Sequence, residues 1–145
     1  MNSTEILNTN CLLTRLPSVH HPDGDILHAL KATDKECFSQ FGEAYFSTIY
    51  SGRAKGWKQH QLMTMNIVVP FGSIQFSIYD QAMKNHDLVT IGFDHYSRLT
   101  VPPLCWVAFK CQSAYSALLL NIASLPHDPK EAINKPFDFL EFYPT

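Results

Sequence analysis

Two residues near the middle of the chain have the types and spacing to move a proton. Lys58 and His60 stand two apart in "GWKQHQLMTMNIVV". On an extended strand such positions face the same side, so an ammonium and an imidazole share one surface. Imidazole titrates nearest neutral pH of the ordinary side chains, which suits it to act as a base. A free lysine keeps its proton at neutral pH and is a poor base unless burial strips it. It serves better as a fixed positive charge beside a developing anion. A cation close by also disfavours imidazolium, leaving His60 in the neutral form that a base needs. By themselves, two such residues are more commonly a solvated or hydrogen-bonded pair with no chemistry.

The elements that must hold this pair are short strands. "MTMNIVV" leads to a turn at "PFG", Pro70 to Gly72, and "SIQFSIYD" alternates, with Ile74, Phe76 and Ile78 on one face. "EAYFSTIY", "SRLTVPP", "CWVAFKC" and "YSALLLNIAS" read as further strands, and "PFDFLEFYPT" as an extended tail. "HPDGDILHAL" opens on a turn at His21 to Asp25. The helix signal is confined to "PKEAINK", where Pro129 can start a turn or two. Short strands at regular spacing with turns between them predict an all-β sandwich or barrel. The length of 145 residues suits one domain spanning 1–145.

Composition narrows the function classes. The chain is 46% hydrophobic and 17% charged, as globular proteins are, and its net charge of -2 argues against nucleic acid as a partner. No charged segment followed by an apolar run opens the sequence, and the run Ala117 to Leu120 is too short to span a bilayer. No membrane partner and a cytoplasmic location are therefore expected. Cys11, Cys37, Cys105 and Cys111 match no zinc-ribbon spacing and read as buried, reduced thiols. His20 and His21 precede a turn, and His86 and His95 fall in an expected hairpin loop.

The spacing of Gly52, Lys58, His60, Met65 and Gly72 resembles the first cupin motif, and Pro102, Leu104 and Val107 hold the places of the second. The order "GDILHALKATD", "FGEAYFSTIYSGRAKGWKQH", "GSIQFSIYD", "VPPLCWVAF" and "LPHDPKEAINKPFDFLEF" is similar to the dTDP-4-dehydrorhamnose 3,5-epimerase family. The similarity runs from about His21 to Tyr143 and is strongest toward short members from surface-polysaccharide gene clusters. It implies a double-stranded β-helix, the cupin jelly roll, with short helical turns near the C-terminus. It also implies a homodimer that exchanges N-terminal strands and binds a nucleotide-linked 4-keto-6-deoxy sugar without a cofactor.

The resemblance assigns roles residue by residue. A 4-keto group acidifies the hydrogens on C3 and C5, and an epimerase or keto-isomerase removes one to form an enolate. Lys58 stands where the family has its histidine base, so Lys58 steadies the enolate oxygen and His60 becomes the candidate base. His127, in "HDP" where the family has a tyrosine, is the candidate acid; the same residues also suit a capping turn. Asp138, two residues after Pro136, is the candidate partner for the histidine. Arg53, Lys55, Tyr45, Trp57 and Asn66 complete the set as substrate-binding residues, with Lys55 in place of a phosphate- or sugar-binding arginine. Tyr45 and Trp57 can stack on a base or sugar ring, although barrel aromatics are usually core. Asp80 reads as a structural turn residue. Of the four cupin ligand places, Lys58, His60, Met65 and Val107, only His60 can ligate, so no catalytic metal is expected. The substitutions at Lys58, Lys135 and Val107 leave a non-catalytic sugar-nucleotide binder as the alternative.

Overall fold

The computed structural model describes residues 3–145. Two antiparallel sheets face each other. The first has six strands in the order β1 (Ser3–Ile6), β2 (Leu12–Arg15), β10 (Ser97–Val101), β7 (Met65–Phe71), β12 (Ala117–Ala123) and β5 (Glu43–Ile49). The second has five, in the order β13 (Ala132–Asn134), β6 (Ala54–His60), β11 (Trp106–Cys111), β8 (Ser73–Tyr79) and β9 (His86–Gly92). A short ribbon of β3 (Ser18–Val19) and β4 (Ile26–Leu27) lies outside them. Neighbours such as β10, β7 and β12 are far apart in sequence, as a jelly roll requires.

Alternation decides which residues meet between the sheets. Ile67, Val69, Leu99 and Leu119 point inward from the first sheet, and Ile74, Phe76, Ile78, Val89, Ile91 and Val107 from the second. The outer face of the five-stranded sheet is also apolar: Trp57, Tyr79 and Trp106 are buried there with Phe142 of the C-terminal tail. The tail is pinned by the Trp57 Nε1 donating to Phe137 O (2.8 Å), the Tyr79 hydroxyl to Glu141 O (2.5 Å) and the Ser77 hydroxyl to Phe142 O (2.8 Å). On the outer face of the other sheet, Leu16, Val68 and Tyr96 pack under Leu27 and Ala29.

Several local expectations change. "PKEAINK" forms a turn and then β13, because Ile133 and its neighbours pair with the open edge of β6 (Ala132 opposite His60). The helical turn near the C-terminus lies at Phe137–Phe139, inside the tail expected to be extended. β7 continues through Pro70 to Phe71 before the chain turns at Gly72. His86 begins β9 instead of lying in the loop, and its Nε2 bonds the Ser77 hydroxyl at 2.7 Å. Asp80 is a turn residue, accepting from Lys84 N (2.9 Å) and from Asn85 Nδ2 (2.7 Å). All four cysteines are buried free thiols. Among the described residues, no helix is long and apolar enough to cross a membrane.

Candidate active site

A cavity of about 360 Å³ opens between the two sheets. One wall is β6, and a bulge in that strand sets what it presents. Val107 pairs with Lys58 but Ala108 pairs with Gly56, which leaves Trp57 as an extra residue. The bulge resets the alternation, so Lys55, Lys58 and His60 all line the cavity although the first two are three apart. The Trp57 ring goes to the other face, fully buried beneath the tail. Gly56 has a φ of +137°, and a Cβ there would collide with Ala108, so the close approach at the bulge requires glycine.

His60 ends β6 and is nearly buried. Its Nδ1 lies 2.6 Å from Glu131 Oε1. The other carboxylate oxygen accepts from Leu62 N (2.8 Å) and Met63 N (2.9 Å). Burial alone would raise the Glu131 pKa, but the hydrogen bonds from His60, Leu62 and Met63, with the charge of His60, outweigh it and pull it down to about 2. A carboxylate so held accepts a hydrogen bond from Nδ1–H, which in the neutral ring puts the lone pair on Nε2. The His60 carbonyl is fixed too, by Leu104 N at 2.7 Å. The ring is therefore locked in one tautomer and one orientation, as a base requires.

The opposite wall comes from the six-stranded sheet. Tyr45 of β5 enters the cavity, its hydroxyl accepting from Asn121 Nδ2 at 3.0 Å. The Asn121 amide is oriented by Asn66 N, which donates to its Oδ1 at 3.2 Å. With a donor already on the phenol oxygen, the Tyr45 O–H is free to donate into the cavity. Lys135, following β13, meets the cavity through its backbone, which pairs with Trp57 in both directions, at 3.0 and 2.9 Å; its Nζ turns to the outer face, 5.5 Å from the Phe139 ring centroid. Lys55 Nζ donates to Thr48 O (2.7 Å) and Ser47 Oγ (3.2 Å). The lining thus carries the ammonium groups of Lys55 and Lys58 and no carboxylate in a chain of net charge -2.

Of the residues singled out from sequence, Lys58, His60, Lys55 and Tyr45 line this cavity; Trp57 reaches it only with its backbone, and its ring, buried under the tail, has no face free to stack on a sugar or base. Asn66 does not: its neighbours Met65 and Ile67 face in, so Asn66 faces out, bonding Cys37 O (3.0 Å) and the Thr100 hydroxyl (2.6 Å). Arg53 is exposed in the turn before β6, where its carbonyl accepts from Cys111 N at 3.0 Å. His127 is exposed and engaged through its backbone N with Glu43 (2.8 Å), outside the cavity lining. Asp138 sits exposed in the tail's helical turn, and the carboxylate beside His60 is Glu131 instead. Glu131 and Asn121 are the site residues that sequence reasoning missed. "HDPKEA" carried the signal for Glu131, but only the pairing of β13 with β6 reveals its target. Among the described residues, no cluster of three or more metal-ligating side chains forms.

No protein-family model matches the chain. No curated protein matches it either. Solved structures do. A dTDP sugar isomerase from Desulfovibrio desulfuricans G20 is 34% identical over 96% of this chain and 89% of that one, with a TM-score of 0.84. A dTDP-4-dehydrorhamnose 3,5-epimerase from Sulfolobus tokodaii superposes with a TM-score of 0.84 at 15% identity, over 99% of this chain and 86% of that one. A sugar 3,4-ketoisomerase from Thermoanaerobacterium thermosaccharolyticum, solved with TDP, gives 0.73 at 18% identity over 90% of each chain. The last two share the fold, and the first shares sequence along nearly its whole length. The chain belongs to the dTDP-4-dehydrorhamnose 3,5-epimerase-like cupins, the jelly-roll family of sugar-nucleotide epimerases and isomerases.

Proposed function

We propose that this protein is an isomerase, an epimerase or keto-isomerase, of a dTDP-linked 4-keto-6-deoxy sugar in surface-polysaccharide synthesis. The observation that carries the reading is the His60–Glu131 pair at a cavity that presents Lys55 and Lys58 and no carboxylate. His60 Nε2 takes the proton from C3 or C5. The electron pair left behind moves onto the C4 oxygen, where the Lys58 ammonium stabilises the enolate. Tyr45, on the opposite wall, returns a proton to carbon from the other face, taking the role expected of His127. Lys55 pairs with the diphosphate. Related structures solved with TDP and with TDP-4-keto-6-deoxyglucose support this ligand class. The sugar is held within a single cupin domain acting in the cytoplasm, with no metal or other cofactor. The working form is a homodimer. Its motivation is β1, which lies at the sheet edge with all four residues exposed, a strand that a second chain would cover.

Proton NMR of dTDP-4-keto-6-deoxyglucose in heavy water tests the reading. Loss of the C3 or C5 signal is expected with the wild-type protein. His60→Ala should slow it by about 10²–10⁴-fold. Lys58→Met should also slow it, and Lys58→Arg, which keeps the charge, should retain part of the rate. Saturation-transfer contacts without any exchange would establish the non-catalytic binder instead. Exchange at the full rate in His60→Ala would remove that residue from the chemistry.

A further inference from the structure

The far end of the sandwich holds a second cavity, of about 580 Å³, within the range of about 300–1,000 Å³ usual for small-molecule sites. It shares no lining residue with the first. β7 reaches both, with Ile67 in the lining of one and Pro70 in that of the other, three steps or about 10 Å apart along the strand. Three loops build it: the β7–β8 turn, the β9–β10 turn with Phe93, Asp94 and His95, and the β11–β12 turn with Ser113 and Tyr115.

Its aromatics are held outward. Phe71, Phe93 and Tyr115 are 57%, 52% and 55% exposed, and the Phe71 and Tyr115 rings stand 5.2 Å apart at 50°. The loops that carry them are tied together: Phe93 N donates to Gly72 O (3.2 Å), Gln112 N to Ser73 O (2.8 Å), and the Ser113 hydroxyl to Tyr115 O (2.8 Å). Gly72 has a φ of +80°, and a Cβ there would press on Ala117 at 2.7 Å, so the turn is fixed in shape. Cross-bonded loops present these rings in advance of any ligand, which lowers the ordering cost of binding.

The polar groups tell what such a ligand carries. The lining has Asp94, His95 and the hydroxyls of Ser73, Thr90 and Ser113, with no lysine or arginine. That is the reverse of the His60 cavity, and nothing here balances a phosphate. Aromatic faces are electron-rich and attract the C–H face of a pyranose ring. A carboxylate, an imidazole and hydroxyls at the edge take up its hydroxyl groups. We propose that this cavity binds a neutral saccharide, separate from the site for the charged sugar nucleotide.

The test is a ¹⁵N NMR titration of the full chain with glucose, galactose, maltose and lactose, and separately with dTDP. Saturable shifts are expected at the loops bearing Phe71, Phe93 and Tyr115 with at least one neutral sugar, and not with dTDP. Phe93→Ser and Tyr115→Ala should each abolish them, with the dispersion of the remaining signals showing that the variant is folded. The proposal is overturned if none of the four sugars shifts these loops. It is also overturned if dTDP moves them as the sugars do. Shifts that follow protein concentration instead of sugar would assign the face to a second copy of the chain and overturn it too.

Discussion

At the scale of single residues, the site turns on Glu131. Its carboxylate faces an imidazole on one oxygen and two backbone amides on the other, with little water to help. On the proposed mechanism it acts through His60, which makes it a positioning residue. Glu131→Gln keeps the shape and removes the charge; kcat should fall by about 10–100-fold, as other orienting partners do, with KM little changed. A purely structural role would move stability without that split. Stability must move as well. The folded pKa, about 2, lies below the ordinary 4.5, so the group's contribution is complete above about 4.5 and is lost as pH falls toward 2. The shift corresponds to something on the order of 3 kcal/mol. Urea unfolding at pH 7 and at pH 3 should show the loss in the wild type. In Glu131→Gln the pH 7 value should already be low and the slope between the two flatter.

At the scale of elements, β6 is held from both faces. Its bulge sends Lys55, Lys58 and His60 to the cavity and Trp57 to the outer face, where the tail covers it. The Trp57 ring packs edge-on against Tyr79 with centroids 5.4 Å apart, and 6.4 Å from Phe142. Phe142→Ala should therefore cost about 3–5 kcal/mol in urea unfolding, the range for emptying a buried aromatic site. It should also shift tryptophan fluorescence to the red as water reaches Trp57 and Trp106. An unchanged unfolding midpoint would mean that the tail does not support the strand. Because the same tail follows Lys135, whose backbone holds the cavity strand β6 at Trp57, loosening it should raise KM as well.

For the whole molecule, charge is distributed unevenly. A chain of net charge -2 places Lys55 and Lys58 together at one opening. A diphosphate approaching that opening is attracted over roughly 10 Å at 0.1 M salt, and less as salt rises. KM for the sugar nucleotide should therefore climb with ionic strength between 0.05 and about 0.5 M, while kcat changes little. A flat KM would remove the lysines from phosphate binding. The exposed β1 edge sets a further expectation, a dimer by sedimentation at micromolar concentration, since a bare strand at a sheet edge invites pairing.

The sequence by itself determined the strands and the wall they present. Period-two alternation in β8 and the apolar runs of β7 and β12 are local properties of the chain, so they are visible without a structure. The Lys58-x-His60 pair was legible for the same reason: residues two apart on a strand stay together wherever that strand goes. The tertiary structure decided everything that depends on which strands become neighbours. Glu131 lies far along the chain from His60, and only β13 closing the edge of β6 joins them. The sequence points to Asp138 as the partner of His60 and to His127 as the acid because loop and tail geometry leaves no periodic trace. The bulge at Trp57 was equally hidden, since it depends on how Val107 and Ala108 register against β6, a pairing between segments that no local pattern encodes.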